Sequence, residues 1–241
     1  MMHAQARPDN LIAAHRRPGA GPTILFLPGY GSDMAGTKAV ALDEWAVKRG
    51  QAIVRFDYRG CGLSGGSFED FTLDHWREDT IRVLDSIDGP VVLVGSSMGG
   101  WLMLLAALAR PHKVVGLVGI AAAPDFTEWD FDAETRAVLV CDGRITEPSP
   151  YGGTTTYTYA LWESGQRNLL LGGPIAIDCP VRLLHGQADP DVPWNLSLDI
   201  AQRLRSDDVQ VTLIKDGDHR LSRPQDIKLL IATVKKLLET L

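Results

Sequence analysis

The chain has 241 residues, 45% of them hydrophobic and 22% charged, which fits one globular domain over residues 1–241 with a sizeable core. A net charge of −6 with no cluster of lysine and arginine argues against nucleic acid or an anionic membrane as partner, because both need a positive footprint. Cys61, Cys141 and Cys179 are odd in number, far apart and free of any Cys-x-x-Cys spacing, which argues against a disulfide framework or a zinc site and for a reducing compartment.

In chain order, short apolar runs rich in β-branched residues alternate with longer amphipathic ones. Strands are predicted at 23–27, 52–56, 91–94, 114–120, 181–184 and 209–214, with an edge strand at 11–15. Helices are predicted at 38–49, 73–87, 100–110, 195–204 and 225–238. The strand-helix-strand rhythm implies an α/β fold with a mostly parallel, doubly wound sheet. Residues 124–180 break the rhythm with no clear sheet strand and many aromatics: Phe126, Trp129, Phe131, Tyr151, Tyr157, Tyr159 and Trp162. They are read as an inserted lid with short helices at 133–140 and 159–170 and a turn-rich piece at 148–153. Residues 1–21 carry neither a secretory signal nor a good transit peptide, and no apolar run is long enough to span a membrane, so a cytoplasmic location is expected.

Gly95-Ser96-Ser97-Met98-Gly99 sits between a strand that reads as buried on both faces and an apolar helix. The pentapeptide alone is common by chance, but in this setting it reads as a nucleophile elbow with Ser97 at its tip. A serine nucleophile needs a base to take its proton and an acid to orient that base, and on this fold the acid precedes the histidine. Asp189 follows the strand at 181–184 and His219 follows the strand at 209–214, so both fall at strand ends, where such sheets place their active groups. Asp191 is the competing acid. His185, just before a glycine and the acid turn, is read as structural, and His3, His15, His75 and His112 lie near the N-terminus or at helix ends. The developing oxyanion needs two amide donors; Met98 supplies the one after the nucleophile, and Tyr30 in the turn Pro28-Gly29-Tyr30-Gly31 supplies the other. Asp57 and Arg59 are expected to tie down the loop Asp57-Tyr58-Arg59-Gly60-Cys61-Gly62, with Cys61 as a small buried filler.

Ser97, Asp189, His219 and the Pro28-Gly29-Tyr30 turn together resemble the α/β-hydrolase superfamily over nearly the whole chain. Gly36-Thr37-Lys38, Arg55-Phe56-Asp57-Tyr58, Gly99-Gly100-Trp101-Leu102-Met103, Arg182-Leu183-Leu184-His185-Gly186 and Asp218-His219-Arg220 narrow the resemblance. Their similarity is to the mitochondrial abhydrolase-domain thioesterases, described as protein S-depalmitoylases and acyl-glucuronide hydrolases. The resemblance covers the core and not the lid. It implies hydrolysis of carboxylic esters and S-acyl thioesters without a metal or organic cofactor, on a small acyl ester or thioester or an S-acylated protein, and it adds the mitochondrion as a location. Acyl length and leaving group stay open: Trp129, Tyr157 or Trp162 forming a cavity over Ser97 implies long acyl chains, an open cleft short activated esters. Two other readings stand beside it. One is different chemistry on the same elbow, such as peptide or carbon-carbon cleavage, and the other is a ligand-binding protein with a vestigial triad.

Overall fold

The computed structural model describes residues 8–149 and 152–241. His3 and Tyr151 lie outside the described residues. The first half runs β1 (Ala14–Arg17), β2 (Ala20–Leu27), α1 (Thr37–Arg49), β3 (Gln51–Phe56), α2 (Leu73–Asp85), β4 (Val91–Ser96), α3 (Met98–Ala109) and β5 (Val114–Ile120). The insert follows with α4 (Phe126–Trp129), α5 (Ala133–Asp142), β6 (Arg144–Pro148), β7 (Thr154–Thr158) and α6 (Tyr159–Gln166). The chain then returns through β8 (Val181–Gly186), α7 (Leu196–Arg203), β9 (Val209–Ile214) and α8 (Pro224–Leu238).

The main sheet has the order β1-β3-β2-β4-β5-β8-β9. Every neighbouring pair in it is parallel except β1 with β3. Alternate residues of each strand serve opposite faces. Ile24 and Phe26 of β2 join Ala39, Leu42 and Ala46 of α1 and Leu230, Val234 and Leu237 of α8. Leu25 and Leu27 join Trp76 and Leu84 of α2 and Trp101 to Leu105 of α3 on the other face. With helices on both faces, β4 is buried at all six positions, which explains its unbroken apolar run. Helix α3 is apolar all round and buried from Met98 to Ala107, the pattern of a helix enclosed by other elements and not one facing water.

Local chemistry sets the element ends. Gly50 closes α1 in the left-handed conformation with φ 63°. Pro224 opens α8 at a position where its missing amide is not needed. At the start of α2 the Thr72 amide donates to His75 Nδ1 at 3.1 Å, so His75 acts as part of a cap. The edge strand forms at Ala14–Arg17, starting three residues later than the expected 11–15. The earlier residues bond to a loop instead: the Ala13 amide donates to Ser64 Oγ at 2.8 Å, and the Leu11 carbonyl accepts from the Gly65 amide.

The insert differs from expectation in its ribbon and in its helix bounds. Among the described residues it holds a separate two-stranded antiparallel ribbon, β6 with β7, joined through the turn-rich piece. The run Thr154-Thr155-Thr156-Tyr157-Thr158 carries that signal in its β-branched and aromatic residues. Helix α6 ends at Gln166, short of the expected residue 170. Both ends of the insert meet at Asp125, which has φ 60° and whose carboxylate accepts the amides of Leu170 at 2.9 Å and Leu171 at 2.7 Å.

Candidate active site

Ser97 lies where β4 turns directly into α3, with φ 56° and ψ −122°. Such a backbone costs about 1–3 kcal/mol and persists only where its surroundings over-determine it. Here the Ser97 amide donates to the Ile120 carbonyl at 2.9 Å, while its own carbonyl accepts from Gly100 at 2.8 Å and Ala123 at 3.1 Å. The flanking glycines are a packing requirement. A Cβ on Gly95 would stand 2.3 Å from the Gly99 carbonyl oxygen, and one on Gly99 would stand 2.1 Å from that of Leu27. All four non-glycine residues with positive φ among the described residues, Ser97, Ala121, Asp125 and Leu221, fall in loops after β4, β5 and β9. Backbone strain is thus concentrated at the carboxyl ends of the strands.

Asp189 and His219 meet because the loops after β8 and β9 pack backbone to backbone. The Ala188 amide donates to the Gly217 carbonyl at 3.0 Å, and a Cβ on Gly186 would lie 2.1 Å from that same oxygen. His219 Nδ1 is 2.8 Å from Asp189 Oδ2. The other oxygen, Oδ1, accepts the amides of Asp191 at 2.8 Å and Val192 at 2.9 Å. Burial alone would raise this carboxyl, but hydrogen bonds from His185 and His219 outweigh it and hold Asp189 well below the usual carboxylate range. Asp189, and not the competing Asp191, receives the His219 Nδ1 hydrogen bond, while Asp191 contributes its backbone amide to the turn.

Ser97, Met98, Gly29, Tyr30 and His219 border one cavity of about 1160 Å³. Asp189 stands behind His219 with its side chain fully buried. Neither the Tyr30 nor the Met98 amide donates a hydrogen bond within the described residues. Gly29 lets this turn approach the elbow, since a Cβ there would meet Ser97 Cβ at 3.3 Å. The Tyr58 hydroxyl supports the turn from below by donating to the Pro28 carbonyl at 3.2 Å.

The Tyr30 side chain is part of the pocket wall. It stacks on Tyr157 at 5.2 Å and donates from its hydroxyl to the Thr156 carbonyl at 2.5 Å. Burial, with Tyr157 next, pushes its hydroxyl far above the ordinary tyrosine range, which keeps it a donor. Phe126, Trp129 and Tyr157 continue the aromatic wall. Trp162 is not in that wall; it packs against Tyr159 at 5.6 Å. The mouth is polar. Asp33, Glu69, Asp70, Asp130 and Glu147 line the same cavity, as do Lys38 and Arg220, and burial with Glu147 and Asp191 raises the Asp130 carboxyl. The loop after β3 matches expectation. Asp57 accepts the Met34 amide at 2.6 Å and the Leu63 amide at 2.7 Å, Arg59 pairs with Asp79 at 2.6 Å, and Cys61 is buried.

Residues 24–228 match the alpha/beta hydrolase family. The palmitoyl-protein thioesterase ABHD10, mitochondrial, of Mus musculus is 45% identical over 236 residues, covering 95% of this chain and 80% of its own. The chain belongs to the alpha/beta hydrolase family. The Homo sapiens protein of the same name is 43% identical over 242 residues, covering 98% of this chain and 79% of its own. The solved structure of alpha/beta hydrolase domain-containing protein 10 from mouse superposes with a TM-score of 0.90 at 43% identity, covering 100% of this chain and 97% of that one. Est1E from Butyrivibrio proteoclasticus, with ferulic acid bound, shares the fold at 20% identity and a TM-score of 0.78 over 95% of this chain and 94% of its own. Among the described residues no helix is long and apolar enough to cross a membrane.

Proposed function

We propose that the protein is a serine hydrolase of carboxylic esters and acyl thioesters working through an acyl-enzyme. The observation that carries this reading is the His219–Asp189 hydrogen bond of 2.8 Å at a cavity whose wall includes Ser97 on a strained elbow. With Nδ1 committed to Asp189, the other imidazole nitrogen, Nε2, is the one that takes the Ser97 proton as Oγ attacks the acyl carbon. The amides of Tyr30 and Met98 receive the developing oxyanion, a contribution of about 3 kcal/mol per donor to transition-state stabilisation. His219 then returns the proton to the departing alcohol or thiol. Water repeats the sequence from the other side, with His219 as base, and releases the acid and free Ser97.

The relatives' printed name, palmitoyl-protein thioesterase, favours S-acyl thioesters, and the wall of Tyr30, Phe126, Trp129 and Tyr157 offers apolar surface for the acyl group. The word mitochondrial in the same names favours that compartment over the cytoplasm expected from the sequence. The test is a hydrolysis series over oxygen esters and thioesters from short to palmitoyl chains, with a fluorophosphonate probe for covalent labelling. Ser97→Ala is expected to lose both labelling and turnover, the latter by roughly four orders of magnitude, with thermal unfolding nearly unchanged. Turnover that survives in Ser97→Ala removes the serine from the mechanism; an unlabelled, inactive wild type favours the binding-protein reading.

A further inference from the structure

His185 is fully buried at the end of β8, and its ring lies against the acid turn, not against the cavity. Its Nε2 is 3.1 Å from the Val192 carbonyl oxygen and 3.2 Å from Asp189 Oδ2. Both partners are acceptors only, so Nε2 carries a proton and shares it between them. On the other side of the ring Nδ1 is 2.7 Å from Ser197 Oγ, and Ser197 is itself buried in the first turn of α7. A buried histidine used only as core filling has no need to touch a carboxylate that already receives two backbone amides and a second imidazole.

We infer that His185 is a positioning residue for the triad acid, holding the Asp189 side chain and its turn in the geometry that orients His219. This rests on the assignment of Asp189 and His219 proposed above. The clamp acts at two points. It grips the Val192 end of the turn through the carbonyl, and it competes with His219 for the same oxygen, Oδ2. Ser197 fixes the rotation of the ring, so α7 is coupled to the acid loop. Two consequences separate this role from a purely structural one. Loss of the clamp leaves Asp189 held only by the two turn amides and His219, and the looser orientation of Oδ2 lowers turnover more than substrate binding. It also leaves more of the carboxylate's charge to His219, which stabilises the imidazolium and moves the acid limb of the rate profile to higher pH.

The charged groups that share the loop or the cavity with His219 are Asp191 from the β8 loop, Asp218 and Arg220 on its own loop, Lys38 of α1 bonded to the Arg220 carbonyl, and Asp130 of the insert. They are common to all the variants below and leave the difference between them to the ring at position 185.

The experiment is the pH dependence of kcat and kcat/KM for a thioester substrate with wild type, His185→Leu, His185→Gln and Ser197→Ala, each checked for folding by thermal unfolding. His185→Leu is expected to lose roughly ten- to a hundredfold in kcat with KM little changed, and its acid limb is expected to rise by about half a pH unit. His185→Gln, whose amide can still donate to the turn, is expected to recover most of that loss. A folded His185→Leu with the wild-type kcat and acid limb overturns the inference. Where His185→Leu does not fold, Ser197→Ala decides: a smaller shift of the same sign supports the clamp, and an unchanged limb overturns it. Ser97→Ala run in the same assay separates the two levels, because activity in that variant rejects the Ser97 mechanism itself, whatever position 185 does.

Discussion

Lys38 shows how the cavity changes the chemistry of a single side chain. It is half-buried, borders the site and donates from its ammonium to the Arg220 carbonyl. Burial, with the Arg220 charge next, lowers its amine to about 8 against the opposing pull of Asp218 and Asp226. Between that value and the ordinary lysine range the unfolded chain keeps a proton that the folded one has released, so the site gains stability as pH rises through this window. Urea unfolding of wild type and Lys38→Met between pH 7 and pH 10 is expected to show the wild type gaining relative to the variant; parallel curves argue against the depressed amine. The placement of Ser97, Asp189 and His219 after β4, β8 and β9 was legible in the sequence, because the apolar runs that precede them mark those strands. The roles of Lys38 and the Tyr30 ring were not, since each depends on a partner far along the chain: Tyr30 bonds to a carbonyl 126 positions away and Lys38 to one 182 positions away.

At the scale of elements, the strands and helices of the main sheet declared themselves through period and apolar runs, while the β6–β7 ribbon did not. A short threonine-rich strand with a polar face carries little hydrophobic signal, and its partner Arg144-Ile145-Thr146-Glu147-Pro148 carries less. A two-stranded ribbon is marginal alone and needs packing against something else. Tyr30 supplies part of that packing through the Thr156 bond and the stacking on Tyr157. Tyr30→Phe keeps the ring and the backbone amide but removes the hydroxyl, leaving the Thr156 carbonyl without that donor, a cost of about 1–3 kcal/mol. Faster amide hydrogen exchange confined to β6 and β7 is the expected result, and exchange unchanged across the ribbon would show that other contacts hold it.

Across the whole molecule, stability rests on two apolar layers and on a few buried charges that tie loops to helices. Arg59 joins the loop after β3 to α2 through the fully buried Asp79, which accepts both its side chain and its amide. Burial raises the Asp79 carboxyl, and the Arg59 amide and guanidinium oppose that rise. Arg59→Met leaves the carboxylate without its cation and is expected to cost about 3–5 kcal/mol. Because the stranded carboxyl takes up a proton more readily in the folded state, the loss should be larger at pH 8 than at pH 5. Chemical denaturation at the two values checks this, and an equal loss at both would contradict it.

Asp125 joins the two ends of the insert through amides 45 and 46 positions away in the chain. Parallel pairing of β5 with β8 continues beneath that junction, with Leu117 opposite Val181 and Ile120 opposite Leu184. The insert between the two attachment points is also tied to the main body, by the Asp74 amide on Ser164 Oγ and the Trp101 indole on the Asn168 carbonyl, so the Asp125 carboxylate closes its neck without carrying it alone. Exchanging the insert at that neck keeps the sheet in register but replaces only the insert's share of the cavity lining, since Tyr30 and Phe68 stay with the main body.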